Sequence, residues 1–97
     1  AGQEEQATEA FNQVFRNLAE NLQVGLKVDA AENQVQAANL LQAIRTYGFD
    51  CSLEVFASIG KGYVANLEFK ENIDKFGSGT AQYAAEVIAA YVRTNAE

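Results

Sequence analysis

The chain has 97 residues, 48% of them apolar, with a formal charge of −6, one cysteine and no histidine, proline or methionine. This is enough for a single domain, 1–97, with one modest core. The seven basic residues are scattered, which argues against direct nucleic-acid or anionic-membrane binding, and no apolar run approaches the ~20 residues of a bilayer span.

Residues 1–6 are polar and are expected to fray. Beyond them Ala7, Phe11, Val14, Phe15, Leu18 and Leu22 recur at steps of three and four. That spacing predicts an amphipathic helix from about Glu4 to Leu22. Glu4, Glu5 and Glu9 sit near its start, where the helix dipole favours negative charge. Phe11 and Phe15 read as core anchors, and an aromatic cofactor box is the second reading for them.

Val24, Leu26 and Val28 alternate with Gly25 and Lys27, which predicts a short strand. Asp29 and Glu32 have the spacing of a capping box, so a second helix is expected over Ala30–Tyr47. Gly48 suits a left-handed position just past its end.

The stretch Phe49–Lys70 carries the most regular pattern. Phe49, Cys51, Leu53, Val55, Ala57 and Ile59 occupy alternate positions, as do Tyr63, Ala65, Leu67 and Phe69. A period of two is the mark of a half-buried strand. The two runs around Gly60-Lys61-Gly62 predict a β-hairpin with Gly62 left-handed. In that register Val55 faces Leu67, Leu53 faces Phe69, and Glu54 faces Glu68. Phe56 and Val64 break the alternation and are expected on the outer face, diagonally across the strands. Leu53, Val55, Leu67, Phe69, Phe11 and Phe15 are predicted to share one core. Cys51 is expected to be a buried structural thiol, because no base accompanies it.

A helical turn is expected within Glu71–Phe76. Gly77-Ser78-Gly79-Thr80 then breaks the pattern, with Ser78 or Thr80 as a cap. The last helix, Thr80–Asn95, is apolar around much of its circumference, which predicts burial on more than one side.

The expected architecture is therefore α+β, in the order α-β-α-β-β-α: a three-stranded mixed sheet built on the hairpin, with helices packed on it. No catalytic constellation, phosphate loop or metal-ligand spacing is present, so no enzyme activity, cofactor or metal is expected. The functional reading is a small acidic interaction module that self-associates as a homo-oligomer. Glu54, Phe56, Val64, Glu68, Tyr83 and Val87 are its candidate interface. A small acidic inhibitor of viral or mobile-element type, occupying a basic site on a protein partner, is the alternative, and an enzyme with an unrecognised site is a third. The unpaired cysteine favours a reducing compartment, hence a cytoplasmic location. The start at Ala1 fits methionine excision, a removed signal or a tag remnant alike.

Overall fold

Thr80–Asn95 is the helix around which the others are arranged, and it touches all four of them. The computed structural model describes residues 2–96. The helices are α1 (Gly2–Gln23), α2 (Ala31–Tyr47), α3 (Leu53–Ala65), α4 (Leu67–Asp74) and α5 (Thr80–Asn95). Among the described residues there is no strand, so the expected α+β sheet is corrected to an all-helical fold.

Three helices follow the sequence closely. α1 buries Val14, Phe15 and Leu18 along one face, with Phe11 and Leu22 packed at its margins. It begins at Gly2, so residues 2–6 are helical and not frayed, while Ala1 lies outside the described residues. α2 buries Ala37, Leu40, Leu41, Ala43 and Ile44. Its N-cap is Ala30 and no side chain caps it, so the Asp29–Glu32 capping box does not form. Gly48 has φ −116° and ψ −89°, which is not left-handed. Residues 24–28, expected as a strand, form the turn between α1 and α2. α5 has the expected bounds and buries Tyr83, Ala84, Val87, Ile88 and Ala90 among others. Its apolar circumference is covered on more than one side by other helices of the same chain.

The hairpin region is helical, and burial shows why. Phe56 is fully buried and Gly60 is buried, with Leu53, Ile59, Tyr63 and Val64 packed partly against the core. Those positions follow steps of three and four along one helical face. Val55, on the predicted strand face, is 41% exposed. Phe56 and Val64 broke the alternation because they belong to this helical stripe and not to an outer sheet face. Of the six residues expected to share a core, Phe15 is buried and Phe11 and Leu53 are partly so. Leu67 and Phe69 are exposed like Val55.

Side-chain caps place α3 and α4. Ser52 Oγ accepts the Val55 amide at 3.1 Å and starts α3. Asn66 ends α3 and starts α4, its Oδ1 accepting the Phe69 amide at 3.1 Å. One residue therefore turns the chain between two helices. Gly60 is needed for another reason: a Cβ there would lie 3.0 Å from Ile88 Cγ2. Its missing side chain lets α3 settle directly on α5. Gly62 lies within α3 and is not left-handed.

The start of α5 is capped from a distance. Its N-cap, Gly79, is left-handed at φ 87° and offers no side chain. Neither Ser78 nor Thr80 caps the helix, and the Thr80 hydroxyl instead donates to the Gly77 carbonyl at 2.6 Å. Asp74 Oδ1 accepts the Ala81 amide at 2.8 Å. That amide and the Lys70 ammonium 3.0 Å from Oδ2 hold the Asp74 carboxyl below its usual range against the opposing effect of burial.

Candidate ligand-binding site

The fold leaves an open groove of about 480 Å³ between α1, the end of α2, α3 and α4. α1 contributes Ala7, Phe11 and Phe15; α2 contributes Ile44 and Tyr47. Gly48 and Phe49 follow from the connecting segment, Ile59 and Tyr63 from α3, and Phe69, Asn72 and Ile73 from α4. Of six phenylalanines and four tyrosines in the chain, four and two respectively line this groove. None of its lining residues is charged. In a chain that is 21% charged, this is a distinct local environment.

Tyr63 sits between two other rings. It meets Phe15 edge-on at 5.6 Å and Phe69 edge-on at 6.4 Å between centroids. Burial, and secondarily the neighbouring Cys51, pushes its hydroxyl pKa up to about 12. The hydroxyl is therefore neutral at any physiological pH. Phe49 and Phe69 stand half-exposed at 51% and 53%. Exposed phenylalanines beside an apolar concavity mark a surface suited to covering by an apolar molecule.

A second cleft, of about 450 Å³, lies where α1 meets the α4–α5 corner and is lined in part by Arg16, Glu20, Gln23 and Ser78. Its principal charge is already matched, since Arg16 bonds Glu9 at 2.7 Å and Gln13 at 3.2 Å. Among the described residues no three metal-ligating side chains cluster.

The six residues expected at an interface are not brought together on one face. Glu54 and Glu68 are exposed in the first turns of α3 and α4, where no strand ladder opposes them. Val64 is partly buried against the core. Phe56, Tyr83 and Val87 lie inside it, with Phe56 edge-on to Tyr91 at 6.1 Å. Cys51 is fully buried, as expected, but in the segment between α2 and α3 and not on a strand. Burial raises its thiol pKa, opposed in part by Arg45.

Sequence reasoning missed Tyr47, Phe49, Tyr63, Phe69 and Asn72 as groove residues. The available signal was compositional: aromatic residues in four separate segments. Only the packing of four helices converges them.

The sequence matches the TipAS antibiotic-recognition domain over residues 1–91. The chain belongs to this family. The TipAS fold is also evident in three dimensions. TipAS from Streptomyces lividans in complex with nosiheptide, studied as part of a thiopeptide antibiotic multidrug resistance system, superposes with a TM-score of 0.85. The two are 26% identical, over 93% of this chain and 62% of that one. The HTH-type transcriptional activator mta of Bacillus subtilis (strain 168) is 30% identical over 81 residues. That match takes in 84% of this chain and 31% of the activator, so the chain spans about a third of this curated relative. Membership of a TipAS antibiotic-recognition family overturns the reading as an acidic protein-interaction module. It equally overturns the alternative of an acidic inhibitor of a basic site. No helix among the described residues is long and apolar enough to cross a membrane.

Proposed function

We propose that this chain is a non-catalytic recognition domain that binds an uncharged, aromatic-rich antibiotic in the groove between α1 and α4. The observation that carries this reading is the convergence of six aromatic side chains on a groove without a charged wall. A volume near 480 Å³ suits a drug-sized molecule or the apolar part of a larger one. Covering Phe49 and Phe69 removes apolar area from water, worth about 1 kcal/mol for each half-exposed ring. The complex of the Streptomyces TipAS with nosiheptide supports an antibiotic as the occupant. The likeness to a transcriptional activator supports a regulatory role, in which ligand occupancy biases the state of a longer protein. Such a bias requires the ligand to bind one state more tightly than another. A cytoplasmic location accords with that role and with the reduced Cys51. Any self-association has to use exposed side chains, since Tyr83 and Val87 are taken by the monomer's own core.

The test is saturable binding of the fluorescent probe N-phenyl-1-naphthylamine and its displacement by nosiheptide. Phe49→Ala with Phe69→Ala is expected to weaken probe binding about thirtyfold while the thermal midpoint stays near that of the unmodified chain, since both rings are half-exposed. Absence of saturable probe binding, or probe binding indifferent to both substitutions, sinks the groove as the site.

A further inference from the structure

The groove contains few polar groups, and they are not equivalent. The Gly48 amide is already committed to the Ile44 carbonyl at 2.8 Å. Asn72 is exposed on α4, and Tyr47 lies at the end of α2, where water reaches part of it. Tyr63 is part-buried like Tyr47 and differs from both in how its side chain is held. Its ring is held edge-on between Phe15 and Phe69, so its direction is set by packing. None of the side-chain hydrogen bonds among the described residues involves its hydroxyl. The contrast is Tyr83, whose hydroxyl accepts from Asn33 at 2.7 Å and donates to the Leu26 carbonyl at 2.6 Å.

We propose that Tyr63 is a specificity residue of the groove, donating a hydrogen bond to a neutral acceptor on the ligand such as a heteroaromatic nitrogen or a carbonyl oxygen. This rests on the groove being the ligand site. The physical reason is asymmetric. A hydrocarbon surface seated over an oriented hydroxyl strips its water and returns nothing, whereas an acceptor of the same shape restores the bond. An apolar site with one directed donor therefore ranks ligands by acceptor position, while the rings around it supply the non-directional attraction. The hydroxyl remains a donor, because its proton is retained to about pH 12. The ligand class that follows is an uncharged heteroaromatic or amide-bearing compound, not a plain polycyclic hydrocarbon and not an anion.

The test uses a matched pair of probes, 2-phenylquinoline and 2-phenylnaphthalene, which share a shape and differ by one ring nitrogen. Dissociation constants are measured at pH 8 for the unmodified chain, Tyr63→Phe and Tyr47→Phe. The hydrocarbon leaves water more readily, so the decisive quantity is the change in the ratio of the two constants. Tyr63→Phe keeps the ring and its edge contacts, and an amide NMR spectrum like that of the unmodified chain establishes its fold. The expected result is about tenfold weaker binding of the quinoline with the hydrocarbon unchanged or tighter, and an unaltered ratio in Tyr47→Phe. A ratio left unaltered by Tyr63→Phe overturns the assignment of Tyr63 and leaves the groove intact as the site. Failure of both probes to bind the unmodified chain overturns the groove reading, and the assignment of Tyr63 falls with it.

Discussion

Asn33 and Tyr83 meet inside the protein at 2.7 Å, although fifty residues separate them in sequence. The Asn33 amide also donates to the Lys27 carbonyl at 2.9 Å and accepts from Asn21 at 3.0 Å. The Tyr83 hydroxyl in turn donates to the Leu26 carbonyl. Two buried polar side chains thereby tie the turn between α1 and α2 to the central helix. Tyr83→Phe leaves the Leu26 carbonyl without this donor and removes an acceptor from Asn33. It should destabilise the fold by about 1–3 kcal/mol. Asn33→Leu removes more partners and should cost at least as much. Urea unfolding of the two variants is the check, and a loss under about 0.5 kcal/mol for both would show that water replaces the network.

Gly60 and Gly62 stand two residues apart in α3 and should answer to alanine differently. Nothing lies within 4 Å of a Cβ built at Gly62, whereas one at Gly60 meets Ile88 at 3.0 Å. A helical glycine replaced by alanine gains up to about 1 kcal/mol when space is free. Gly62→Ala should therefore raise stability. Gly60→Ala should fall short of that gain, and Gly60→Val should be clearly destabilising because the α3–α5 contact is overpacked. Thermal melts of the three variants measure the order. Equal gains at both glycines would mean that Ile88 yields without cost.

Asp74 ties stability to acid. It closes α4, where negative charge is disfavoured, yet it caps α5, where the helix dipole favours it. Its folded pKa is depressed chiefly by the Ala81 amide. A depressed carboxyl pKa gives stability that is present above the unfolded value of about 3.9 and is lost as pH falls through the folded value. Asp74→Ala should cost about 1 kcal/mol at pH 7, the usual worth of a side-chain cap. The solvent-accessible Lys70 pair adds little to this. The gap between the variant and the unmodified chain should narrow steadily below about pH 4. Parallel urea melts at pH 7 and pH 3 read this directly, and a gap of constant size would show that the carboxylate charge has no part in the cap.

Sequence alone determined α1, α2 and α5. Each is long enough for a 3.6-residue period to repeat several times, and the period selects buried residues such as Val14, Leu41 and Val87, although on α2 it also selects Ala31 and Val35, which are exposed. The burial of Cys51 was also legible, although the reason given for it, a strand face, was not the operative one. The region from Phe49 to Lys70 was decided by tertiary structure. Its apolar residues satisfy both a period of two and a helical stripe through Leu53, Phe56, Gly60 and Val64, and over so short a stretch local pattern cannot separate them. What separates them is the neighbour. α5 offers Ile88 as a surface on which a glycine-bearing helix can lie at close range, and burial of Phe56 rewards the helix over the strand. Ser52 and Asn66 then cap the starts of the two helices through bonds that a strand reading had no cause to seek. The groove followed the same rule. Phe11, Tyr47, Phe49, Tyr63 and Phe69 are distant in sequence, and their convergence exists only once four helices have packed, because concavity is a property of how elements meet and not of any one of them.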